Sequence, residues 1–331
     1  MSVRSCALLL TSLLLAGCAR GVASSPAAAV RPADAVAPPS GARAPASVAF
    51  DPLPRVAVMS ALESEWALLR AAMTVTGTRV VNGRTHYVGR LAGQEVVLLL
   101  SGVSMVNAAM TTQALLDRYA VRAIVFTGIA GGVNPSLRVG DVTVPAAWAN
   151  YQEHAFARET PAGWVPGRFA GALGNFGMMF PRPSMVADGV HADSTVLRTW
   201  FDADSGLVAT ARRVAATVTL ARCVAGAGGA CLSHTPQVVV GGRGVSGPTF
   251  VDNAAYREWT WRQFAADALD METAAVAHVA WHTGTPFIAF RSLSDLAGGG
   301  AEANELRTFG RLAADNSAAL VLAFLRALPP S

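Results

Sequence analysis

Five apolar runs between Arg55 and Asp295 each break into a polar or glycine-rich turn: Ser60–Glu65, Ser101–Gly102, Thr127–Gly132, Ser246–Asn253 and Ser292–Gly300. Helix-period segments alternate with these runs, among them ALESEWALLRAAM, SMVNAAMTTQALLDRYA and the closing LRTFGRLAADNSAALVLAFLRAL. Strands that read as continuous apolar runs are buried on both faces, so helices must cover them. The pattern predicts an α/β domain of three layers, α/β/α, around a central sheet that is mostly parallel or mixed. Ligands of such sheets bind beyond the carboxyl ends of the strands, and the turns lie there. The domain is expected over 55–329. Its regular pattern loosens after Asn150 for about 85 residues, a stretch that holds Trp164, Phe169, Phe176 and Trp200.

Composition removes several chemistries. The chain has 331 residues and a net charge of +4, and all 26 of its basic residues are arginines. Without lysine there is no Schiff-base mechanism and no Walker-type phosphate loop. The arginines are scattered singly apart from Arg212–Arg213, with none of the clustering of a nucleic-acid face. No nucleic-acid partner is expected.

Residues 1–17 read as a signal peptide: Arg4, then an apolar run too short to span a bilayer. Leu15-Ala16-Gly17-Cys18 resembles the bacterial lipoprotein cleavage box. That resemblance implies a lipidated Cys18 and a periplasmic protein held to a membrane only by this anchor. Residues 18–54, rich in Ala, Pro and Ser, read as a linker without a packed core. Cys223 and Cys231 remain, in RCVAGAGGACL. An oxidising compartment and a short flexible loop between them predict a local disulfide. No further Cys or His stands at zinc-ligand spacing, so no metal is expected. His278 and His282, at i and i+4, lie among Ala, Val and Trp and read as packing or surface residues.

The acids are few enough to weigh singly. Glu63 and Glu65 follow the first strand, where carboxylates also suit a helix N-terminus. Glu272 lies in LDMETAAVAHV, a nearly uncharged segment. A Glu at the start of a buried helix needs a ligand, a cap or an ion pair, for which Arg291 is a candidate. Asp295 ends the last apolar run, where an Asx-turn or a cap is the competing reading.

SALESEW, LLLSGVSMVNAA, VFTGIAGGVNPSLRVGDVTVP, LDMETAAVAHVA and PFIAFRSLSD resemble the successive motifs of the nucleoside phosphorylase and nucleosidase superfamily. The enzymatic branch they resemble is 5′-methylthioadenosine/S-adenosylhomocysteine nucleosidase. Beside compact bacterial members of that branch, the resemblance implies an insert at about 155–235, next to the pocket. GVSGPTFVDNAAYREW, RSLSDLAGGGAEANE and the cysteine pair are similar in detail to the plant bark-storage-protein branch. The resemblance implies a nucleoside phosphorylase-like fold, no cofactor, a small-molecule nucleoside substrate and a homo-oligomer, with a dimer favoured. By position it implies that Asp295 protonates or hydrogen-bonds the purine, that Glu272 holds the ribose beside Met271, and that Glu65, or Glu63 in another register, activates water. Ser101 and Gly102 match the water and ribose side. Phe250 matches the ring stacked on the base, Val251 the backbone at the base edge, and Ser294 the neighbour of the acid. The function implied is hydrolysis of a purine N-glycosidic bond. Phosphorolysis on the same fold, or a binding or storage protein without catalysis, remain the alternatives. Phosphorolysis needs a cationic cradle, and two acids in the first turn oppose it.

Overall fold

The computed structural model describes residues 51–169, 171–187, 194–226, 228–300 and 303–330. The expected signal peptide, Cys18 and the linker up to residue 50 lie outside the described residues. In chain order come β1 (Asp51–Ser60), α1 (Glu63–Ala72), β2 (Thr74–Val81), β3 (Arg84–Leu91), β4 (Gln94–Leu100), α2 (Met105–Leu116), β5 (Tyr119–Gly132), β6 (Val142–Val144) and β7 (Ala147–Asn150). There follow β8 (Phe201–Asp202), α3 (Ser205–Ala215), β9 (Val238–Val240), β10 (Arg243–Ser246), α4 (Ala254–Phe264), β11 (Ala268–Asp270), α5 (Thr273–Thr283), β12 (Phe287–Asp295) and α6 (Leu306–Ala327).

These strands form one mixed sheet in the order β8-β7-β10-β11-β5-β1-β4-β3-β2, with β12 on β5, β6 on β12 and β9 on β6. β1 runs parallel to β4 and β5, and β5 runs parallel to β12. Side chains alternate across a strand. Val56 and Val58 of β1 therefore join α1, α3 and α6 in one core, and Ala57 and Met59 join α2 and α5 in the other. The molecule is the expected three-layer α/β/α arrangement, with a mixed sheet.

β5 is long enough to serve two partners. Its middle pairs with β12, and its glycine tail pairs antiparallel with β11, Leu269 opposite Gly131. That turn of the sheet brings Asp270, Met271 and Glu272 to the cavity wall formed by Ile129 and Ala130.

Three parts of the chain go beyond the sequence reading. DVTVPAAWA is two strands, β6 and β7, divided at Pro145, whose nitrogen has no proton for a ladder. Before Glu272, β11 lies between α4 and α5 and is too short to show a period. The β2–β3 hairpin had a signal that went unread: Asn82-Gly83, with φ of 47° and 75°, is the residue pair that two-residue hairpin turns favour.

The region 155–235 divides. Its first part forms small hairpins, including Arg158–Thr160 with Gly163–Val165 and Ser184–Ala187 with Thr195–Arg198. Residues 201–215 instead join the main sheet and the α3 layer, where Val208, Ala211 and Val214 enter the core. Cys223 and Cys231 are bonded, and Leu232 beside them packs with Val139 and Leu312.

Candidate active site

The site is built around a buried arginine. Arg291 points from the middle of β12, is 0% exposed, and stands over the Phe126 ring with its central carbon 4.5 Å from the centroid. A guanidinium in such a place needs opposite charge. Its Nε is 2.7 Å from Asp270 Oδ2, one terminal nitrogen is 3.7 Å from Glu65 Oε1, and the other is 3.5 Å from Glu272 Oε2. Thr273 Oγ1 accepts from Nε and Nη2 and is closely bonded to Asp270. Three carboxyl groups thus share one guanidinium.

Glu65 rather than Glu63 turns inward: Glu65 is 3% exposed, while Glu63 is exposed. Its Oε2 accepts from Ala61 N and Leu62 N, both at 2.8 Å, and its Oε1 accepts from Ile129 N at 2.9 Å. It therefore serves the helix N-terminus and faces the cavity at once. Burial pushes its carboxyl up, and Arg291 and the three backbone donors pull it partly back. Gly128 makes this approach possible, since a Cβ there would lie 2.3 Å from an Arg291 nitrogen and 2.4 Å from Glu65 Oε1.

Glu272 occupies the residue before α5 and caps nothing with its side chain. Its Oε1 accepts from Ser104 N at 2.8 Å. Burial raises it to about 7, against the pull of Arg291. Asp295 ends β12. Its Oδ1 accepts from Ala297 N at 2.8 Å, as an Asx-turn does, and Ser294 Oγ is 2.8 Å from its Oδ2. Burial raises this carboxyl too, while its donors oppose the rise.

One cavity collects these groups. Its wall includes Glu65, Asp270, Met271, Glu272, Ser294 and Asp295, with Phe250, Val251 and Leu306 at the Asp295 end. Phe250 is 55% exposed, so its ring is free to receive a flat partner. Ser101 and Gly102 stand behind the wall, where Ser101 Oγ bonds Gly102 O at 2.9 Å; the next residue, Val103, reaches the cavity. Among the described residues, none of 155–235 lines it. His278 stacks on Phe201 at 4.5 Å, and no cluster of His, Cys, Asp and Glu suited to a metal occurs among the described residues.

A sequence model of the phosphorylase superfamily matches residues 55–326. The chain belongs to the phosphorylase superfamily. Among similar curated proteins is a 5′-methylthioadenosine/S-adenosylhomocysteine nucleosidase of Geobacillus thermodenitrificans, 33% identical over 82% of this chain and 96% of its own. Two solved structures carry the same name. The Neisseria meningitidis protein, in complex with methylthio-immucillin-A, is 29% identical with a TM-score of 0.61 over 82% of this chain and 99% of its own. The Colwellia psychrerythraea protein, in complex with adenine, is 27% identical with a TM-score of 0.61 over 85% and 98%.

Within this superfamily fold, two participants escaped the sequence reading. Asp270 sits two residues before Glu272 on a strand of three residues, and only its place at a strand end marked it. Arg291 was weighed as an ion-pair partner for Glu272 alone, and the structure makes it the common partner of Glu65, Asp270 and Glu272.

Proposed function

We propose that this protein hydrolyses the N-glycosidic bond of a purine nucleoside carrying an apolar 5′ group, of the methylthioadenosine kind, without a cofactor. The observation that carries this reading is the convergence of Glu65, Glu272 and Asp295 on one cavity, each with its carboxyl raised by burial. The relatives' names point to the same class of substrate.

A purine leaves poorly as an anion. Asp295, protonated, gives its proton to the base nitrogen N7 as the bond from C1′ to N9 breaks, and the bond's electrons stay with the now neutral base. The ribosyl group left behind has oxocarbenium character. Glu272, held in place by Ser104 N, faces that charge and the ribose hydroxyls. Glu65 takes a proton from water, whose oxygen bonds C1′. Its raised carboxyl is a better base than an exposed Glu, and Arg291 opposes the rise and so favours the ionised form. Phe250 stacks on the base, Val251 meets its edge through the backbone, and Met271 packs on the sugar.

Phosphorolysis is the alternative, and one observation bears on it. Arg84 approaches Gly102 so closely that a Cβ there would lie 2.2 Å from its Nη2, which puts a cation near Ser101. Against it, Arg291 already faces three carboxyl groups, and this surplus of negative charge repels phosphate. A binding or storage protein has no need of the opposed acid and base.

The reading includes a homodimer. The candidate surface is α2, where Val106 is 80% and Met110 49% exposed. The test of the chemistry is base release from methylthioadenosine by the wild type, Glu65→Gln and Asp295→Asn. Each variant is expected to lose about 10²–10⁴ in kcat. Turnover at the wild-type rate in either variant removes that residue's assigned role.

A further inference from the structure

At the Asp295 end of the cavity, one amide joins three segments. Asn304 Nδ2 donates to Asp295 Oδ1 at 3.3 Å and to Asp252 Oδ1 at 3.2 Å. Asn304 Oδ1 accepts from Leu306 N at 3.0 Å, at the start of α6. Leu306 lines the cavity, and Asp252 directly follows Phe250 and Val251, which line it too. The same segments also meet through the backbone. Asn253 N donates to Ala297 O at 3.0 Å, and a Cβ on Gly298 would lie 2.3 Å from Asn253 N.

We propose that Asn304 is a positioning residue for Asp295, fixing the carboxyl so that its proton resides on Oδ2 and tying it to the segment that receives the base. The proposal rests on the hydrolytic reading above. Oδ1 accepts two N–H groups, from Ala297 and Asn304, and neither can accept a proton in return. Oδ2 faces the Ser294 hydroxyl, which can donate to it or turn its hydrogen to Ala130 O at 3.3 Å. The protonated acid therefore carries its hydrogen on Oδ2. Losing Asn304 leaves Oδ1 with one donor and frees the carboxyl to rotate about its last bond. It also cuts the link through Asp252 to the Phe250 and Val251 segment, so acid and base lose their common frame.

The charges around Asp295 fix the sign of the titration. Glu305, at the start of α6, repels its charged form. Asp252 faces it across the Asn304 amide. Arg257 of α4 lies against Gly299 and donates Nε to Gly132 O at 2.8 Å. β5 presents only Gly131 at this point. An N–H donor on Oδ1 favours the carboxylate, so removing it raises the acid's pKa. Catalysis needs the protonated form, and the basic limb of kcat/KM must then move to higher pH.

The experiment measures methylthioadenosine turnover against pH for the wild type, Asn304→Asp and Asn304→Ala. The Asp variant keeps an acceptor for Leu306 N and so keeps the start of α6, while it loses the donor. Both variants are expected to lose about tenfold or more in kcat, with KM within about threefold, and to move the basic limb upward. A purely structural role leaves the limb of Asn304→Ala unmoved, while the carboxylate added in Asn304→Asp raises its limb in either case, so an unmoved limb in either variant overturns the proposal whatever the rate. If Asn304→Ala does not fold, Asn304→Ser, neutral and with a shorter side chain, decides in its place. Wild-type protein that releases no base would bring down the hydrolytic reading and this role with it. Active wild type with an unchanged Asn304→Asp brings down this role only.

Discussion

Glu65, Glu272 and Asp295 have raised carboxyls for the same first reason, burial, and differ in what opposes it. Glu65 has Arg291 and three backbone donors. Glu272 has Arg291 and the Ser104 N–H. Asp295 has no arginine among its opposing partners and depends on Ala297, Ser294 and Asn304. That difference suits a base on the Arg291 side and an acid at the far end of the cavity. Away from the site, His86 on β3 is 1% exposed, and both its ring nitrogens lack a hydrogen-bond partner. Burial lowers it from 6.5 to about 4. The unfolded chain therefore takes up this proton first as pH falls. Stability from this residue is complete above pH 6.5 and is lost as pH falls from 6.5 to about 4. Urea unfolding of His86→Leu across that range is expected to show a correspondingly flatter pH dependence than the wild type. Parallel curves would contradict this account of His86.

The elements deliver these side chains through backbone contacts closer than a side chain permits. β5 passes Arg291 and Glu65 at Gly128, where the contact atoms belong to groups already fixed by ion pairs and N–H donors. Gly128→Ala is expected to cost about 1–3 kcal/mol of stability and most of the activity, read by thermal unfolding and base release. Retained activity at unchanged Tm would show that Arg291 and Glu65 have more room than the structure gives them. The strand–turn grammar was legible in the sequence because each buried run ends in residues that neither a strand nor a helix interior needs. Glu65 and Asp295 stood out for that reason and Glu272 for its nearly uncharged surroundings, all helped by the family likeness. Asp270 did not stand out, because a buried acid on a three-residue strand has no periodic context. Asn304 did not either, because its importance comes from meeting Asp252, which lies far from it in the chain. Ser101 and Gly102 were placed at the right strand end, but which of neighbouring residues reaches the cavity depends on backbone rotation, and Val103 does.

For the whole molecule, the sheet order puts the cavity where β1, β5, β11 and β12 bring their turns together, and most of the region 155–235 elaborates the fold away from it. Among the described residues no helix is long and apolar enough to cross a membrane. The proposal that the protein is exported and held by lipid on Cys18 therefore has its own test. Cys18→Ser is expected to move the protein from the membrane fraction to the soluble fraction, and an unchanged distribution would sink the anchor. The central claim is the acceptor and the bond. The domain from about residue 50 onward is incubated with methylthioadenosine, with and without inorganic phosphate, and free base and sugar product are followed. The account expects adenine and free methylthioribose at the same rate in both. Base release only with phosphate, yielding a sugar phosphate, or no release from a nucleoside that binds, would contradict it.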